Sequence, residues 1–67
     1  MKIIIAERWA KIGSSGSQRI QEIYVENDKI WLGLDYGYNI GMNIEDTKKL
    51  IDLLTHATTV IENENKK

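Results

Sequence analysis

His56 follows Asp52 by four residues in a stretch of helical periodicity, and a hydrogen-bonded Asp-His pair is a component of general-base catalysis. Nothing else needed for such chemistry accompanies it. The chain has no Cys, and Ser14, Ser15 and Ser17 fall in a glycine-rich stretch with no nucleophile motif around them. The pair therefore reads as an exposed i,i+4 contact on a helix, worth about 0.2–0.5 kcal/mol. Gly13 to Gly16 is too short for a phosphate-binding loop and lacks the flanking Lys and helix. With a single His and no Cys, no zinc site of known spacing can be assembled. The expectation is no enzyme, no cofactor, no metal and no small-molecule substrate.

The informative side chains are aromatic: Trp9, Tyr24, Trp31, Tyr36 and Tyr38, with Arg8 and Arg19 near them in the chain. Rings on a sheet with basic residues alongside can stack single-stranded bases at about 1–3 kcal/mol each. Trp, Tyr and Arg are equally the types enriched in protein hot spots. A third use is self-association, because so short a chain has little apolar surface to spare. These seven residues are the candidate partner-binding set.

The elements that must carry them can be read in order. Lys2 to Ile12 has apolar residues on both parities and reads as a strand covered on both faces, with a short helix over Ala6 to Ile12 as the alternative, and Gly13 to Ser17 reads as a loop. Arg19 to Glu26 and the run from Ile30 to Leu34 are two further strands joined by Asn27-Asp28, a two-residue turn led by the favoured Asn. Pairing Glu26 with Lys29 sets Val25 opposite Ile30, Tyr24 opposite Trp31 and Ile23 opposite Leu32. Aliphatic side chains then fall on one face and both aromatics on the other. Gly33 is expected to leave space beside Trp31.

Asp35 to Asn39 reads as a turn, Ile40-Gly41-Met42 as a short strand, and Asn43 as a helix cap, with Glu45 and Asp46 at the positive end of the helix dipole. Leu50, Leu53, Leu54, Ala57 and Ile61 follow a 3.6-residue period, widened by Ile51. The predicted fold is α+β, in the order β-β-β-β-α: a three- or four-stranded antiparallel sheet, then one amphipathic helix from Asn43 to about Ile61 packed on one face. The expected core is Ile23, Val25, Ile30, Leu32, Leu34, Leu50, Leu53, Leu54 and Ala57. Residues 1–61 form the single domain, and residues 62–67, with no apolar side chain, a frayed tail.

A 67-residue chain supports one domain. Domains of this size bury only about 60% of the surface of the unfolded chain and often need disulfides, metal or self-association. The first two are missing, so a homodimer is expected, through the aromatic outer sheet face or an edge strand. Ten acidic and nine basic residues give a net charge of −1, which is neither a duplex-DNA binder's signature nor that of a nucleic-acid mimic. The apolar stretch from Ile3 to Ala6 is too short for a signal peptide or a membrane span, so the expected location is cytoplasmic, with no membrane partner. High Ile, Lys and Asn content suggests AT-rich coding of bacterial or phage type.

With strand, cap and helix in place, Ile30 to Leu54 resembles the core of the single-stranded-DNA-binding transcriptional coactivators of the positive cofactor four type. Asn39-Ile40-Gly41-Met42-Asn43 stands where that family has a short Gly-Ile-Ser-Leu-Thr-like strand ending in the helix cap. The resemblance covers about a third of the chain and implies the fold and a dimer. It carries DNA binding less well, because the family's basic, Pro-containing connection is absent and no Lys or Arg lies between Lys29 and Lys48. Two functions are therefore expected in order. The first is a non-catalytic protein-interaction module, an inhibitor or regulator of the kind phages and mobile elements encode, acting by occupying the surface of a larger protein. The alternative is a homodimeric binder of single-stranded DNA or RNA that uses an aromatic and basic sheet face.

Overall fold

The computed structural model describes residues 1–7, 12–13 and 18–65. Four strands form one antiparallel sheet in chain order: β1 (Ile3–Ala6), β2 (Ile20–Glu26), β3 (Lys29–Leu34) and β4 (Asn39–Met42). A helix, α1 (Ile44–Asn65), follows. The α+β class and the β-β-β-β-α order are those expected from the sequence.

The β2–β3 hairpin forms in the predicted register, Glu26 with Lys29 through Ile23 with Leu32. Its turn places both Asn27 (φ 54°) and Asp28 (φ 60°) in the left-handed region. That geometry matches the right-handed twist of the flanking strands and favours Asn at the first position. Beyond Glu22, opposite Gly33, the register shifts before Ile20 meets Leu34. β3 then turns through a single 3₁₀ turn, Asp35–Gly37, where Tyr36 (φ 65°) and Gly37 (φ 79°) are also left-handed and the Leu34 amide donates to the Tyr38 carbonyl at 2.7 Å.

The pairing aligns whole rows of side chains across the sheet. Ile3, Val25, Ile30 and Met42 form one row, and Ala6, Ile23, Leu32 and Ile40 another. Between them, pointing to the opposite face, runs Ile4, Tyr24, Trp31 and Gly41, flanked by Glu22, Gly33 and Asn39 on one side and Glu26 and Lys29 on the other. Strand residues alternate faces, so one face is wholly aliphatic and the other mixed.

Asn43 alone connects β4 to α1. Its side-chain oxygen accepts from the Asp46 amide at 2.8 Å, and its carbonyl accepts from the Thr47 hydroxyl at 2.7 Å and the Thr47 amide at 3.0 Å. This cap starts the helix where the sequence places it. The helix touches β3 and β4, and the contact lies in its first two turns: Thr47 and Leu50 are half-buried, and every residue from Ile51 to Asn65 is exposed.

Three expectations need correction. Leu53, Leu54 and Ala57 are not buried within the chain; Leu53 and Leu54 are 67% and 57% exposed. A one-residue connection and a tight cap fix the direction in which the helix leaves the sheet, so its apolar side is not folded back over it. The helix also continues through residues 62–65, where the Glu residues are good helix formers and need no apolar stripe. The first strand is shorter than Lys2 to Ile12: it ends at Ala6 after a register shift between Ile4 and Ala6, and Ile12 instead makes an isolated antiparallel bridge to Ile20. Among the described residues, no helix is long and apolar enough to cross a membrane.

Candidate functional site

Tyr24 and Trp31 meet on the mixed face as an offset parallel stack, ring centroids 6.2 Å apart and planes within 9°. Their adjacency follows from the hairpin register, and such a pair is worth about 0.5–1.5 kcal/mol beyond the area it buries. Three further contacts hold the pair still. Trp31 Nε1 donates to the Glu26 carbonyl at 3.1 Å. Lys2 Nζ sits 4.3 Å from the centre of the Tyr24 ring, and Lys29 Nζ 5.9 Å from that of Trp31, both in cation–π range. The Trp31 ring also lies across β4, over Gly41.

That last contact explains Gly41 and revises the role of Gly33. A Cβ at Gly41 would come within 2.7 Å of Trp31 Cζ3, so only glycine lets the ring lie flat. The space at Gly33 is not clear: a Cβ there would meet Glu22 Cγ at 2.7 Å, because the Glu22 side chain crosses it. Glu22 is in turn paired with Lys2 at 3.9 Å. Tyr24 is buried, Trp31 half-buried, and the border of the pair carries Lys2 and Lys29 against Glu22 and Glu26.

The remaining predicted residues lie elsewhere. Trp9 and Arg8 fall outside the described residues. Tyr36 and Tyr38 are 85% and 64% exposed on the β3–β4 corner. Arg19 is committed to Asp35: its Nε lies 3.5 Å from Oδ2, and its carbonyl accepts from the Asp35 amide at 3.2 Å. Asp35 also accepts from the Gln21 amide and is buried. The Gln21 hydrogen bond holds its carboxyl below the usual 3.8, burial opposes this, and Arg19 adds to the lowering. The cluster pins the corner to β2 and is structural.

Lys2, Glu22, Lys29 and Gly41 belong to the site and were not among the candidates. Lys29 was within reach of sequence reasoning, being two residues from Trp31 on the same strand face. Gly41 and Lys2 needed the β3–β4 and β1–β2 registers, which no turn signal discloses. Beside the pair, Lys2, Gln21, Glu22, Gly33, Tyr36 and Asn39 line an open polar depression of about 510 Å³. Asp52 and His56 are exposed on α1. Comparison with protein-family models, curated proteins and solved structures finds no match to this chain.

Proposed function

We propose that this chain is a non-catalytic protein-interaction module that presents the Tyr24–Trp31 row to a larger protein, acting as a small inhibitor or regulator by occupying that partner's surface. The observation that carries the reading is the preorganised Trp31 ring, stacked, hydrogen-bonded and laid flat over Gly41. Protein hot spots are built on such rigid aromatic anchors, which lose little entropy on binding and sit within a polar rim. Here the rim carries both signs of charge, Lys2 and Lys29 with Glu22 and Glu26.

A single-stranded nucleic acid could stack on the same rings, but it also needs a positive track for its phosphates. Two carboxylates on this face and the engagement of Arg19 by Asp35 weigh against such a track. The test is capture of partners from a lysate with and without nuclease, using the wild type and Trp31→Ala. A protein partner that survives nuclease and is lost with Trp31→Ala supports the reading. Capture that disappears with nuclease, together with oligonucleotide affinity falling at a log–log salt slope of about −0.7 per phosphate, supports the nucleic-acid reading instead. Capture unchanged by Trp31→Ala removes the aromatic row from either.

A further inference from the structure

We infer that two copies of this chain assemble through the aliphatic sheet face and the apolar side of α1, the face opposite the Tyr24–Trp31 row. This goes beyond the proposed function and does not depend on it.

The first argument is surface area. A folded monomer of 7.7 kDa exposes about 4,300 Å², whereas this chain exposes 5665 Å². The excess is about 1,300 Å² per copy, or about 2,700 Å² for two, within the roughly 2,000–5,000 Å² of obligate homodimers. Shape agrees: the radius of gyration is 13.8 Å, against about 11 Å for a compact chain of this length.

The second argument is the aliphatic surface left exposed on this face and on the helix. Ile3 and Ile40, on the aliphatic face, are 47% and 46% exposed, and Leu53, Leu54, Val60 and Ile61 on one side of α1 are 67%, 57%, 47% and 62% exposed. Among the described residues Tyr24, on the other face, is the one apolar side chain that counts as buried, so the aliphatic face has no core of its own.

The third argument is the helix. Eight of its twenty-two residues are β-branched, including the run Thr58-Thr59-Val60-Ile61, and such residues are weak helix formers. Helices of this kind are stabilised mainly by packing of an apolar face, and here that face is exposed from Ile51 to Asn65. Whatever covers these surfaces must be present whenever the chain is folded. A second copy meets that condition, supplies both a sheet face and a helix stripe to match, and brings a net charge of only −1.

The experiment is the solution mass of the full chain by light scattering, with thermal unfolding across roughly 1–100 µM, because a folded state coupled to assembly has a concentration-dependent Tm. The expected result is twice 7.7 kDa and a Tm that rises with concentration. Leu54→Glu should halve the mass and lower the helical circular-dichroism signal, while Lys48→Glu, on the polar side of the same helix, should leave both unchanged. A wild-type monomer with a concentration-independent Tm overturns the inference, whatever Leu54→Glu does to folding. So does a dimer whose mass is unchanged in Leu54→Glu and Leu53→Glu. Neither result bears on partner capture through Trp31, so the two readings fail separately.

Discussion

The two faces of this sheet are built from alternate residues of the same four strands, yet they have finished to different degrees. On the mixed face the Tyr24–Trp31 pair is complete within one chain: stacked rings, a bonded indole N–H, ammonium groups against the rings and a glycine beneath. On the aliphatic face two rows of Ile, Val, Leu and Met are only half-covered, and the helix that could shield them leaves its own apolar side open. Aromatic and charged side chains satisfy one another locally, through directional contacts between neighbours two residues or one strand away. Aliphatic side chains gain only by excluding water, which needs a second layer. A short chain with one sheet and one departing helix lacks that layer.

The largest expected effect tests the open face. Leu53→Ala removes a side chain that is 67% exposed in the single chain. Covered by a second copy, it should cost about 2–5 kcal/mol by chemical denaturation. A loss below about 0.5 kcal/mol, the usual size of a surface change, would break the comparison by showing that this surface stays in water.

Gly41→Val tests the finished face. The added side chain must displace the Trp31 ring, at an expected cost of about 1–3 kcal/mol, with loss of the near-ultraviolet circular-dichroism band of the stacked tryptophan. An unchanged band would show that the ring does not lie over Gly41 in solution. Asn43→Ala touches neither face and should cost about 1 kcal/mol through the lost helix cap. A much larger loss, measured by the same denaturation, would mean that the helix direction set by Asn43 is what holds the open face together.

The smallest effect is electrostatic and belongs to the corner between the faces. Asp35 has a folded pKa below its ordinary 3.8. Its contribution is therefore fully present above that value and lost as pH falls through the lowered folded value. Asp35→Asn should flatten the acid limb of a stability-versus-pH curve in that window and leave its shape near neutrality unchanged. An acid limb identical to that of the wild type would remove Asp35 as its source.

Much of this was legible in residue order because it is local. The Asn27-Asp28 turn, the hairpin register from Glu26–Lys29 to Ile23–Leu32, the separation of aliphatic from aromatic faces and the Asn43 cap each depend on residues a few positions apart. So does the amphipathic stripe of α1, which runs from Leu50 to Ile61. Pairings outside that hairpin were not legible: Lys2 reaching Tyr24, and the Trp31 ring choosing Gly41. Arg19 looked available from its charge, and only the corner brought Asp35 within reach of it.

By itself the sequence determined the class, the strand order and which side chains share a face, because the two-residue alternation of a strand and the 3.6-residue turn of a helix are properties of the backbone. Only the tertiary structure decided whether those faces meet. An apolar stripe says that a helix must bury one side, and the expectation was that Leu53, Leu54 and Ala57 would find the sheet of their own chain. The single residue between β4 and α1 sets the helix on a course where they do not, and that depends on backbone direction at one capped joint, which no periodicity encodes.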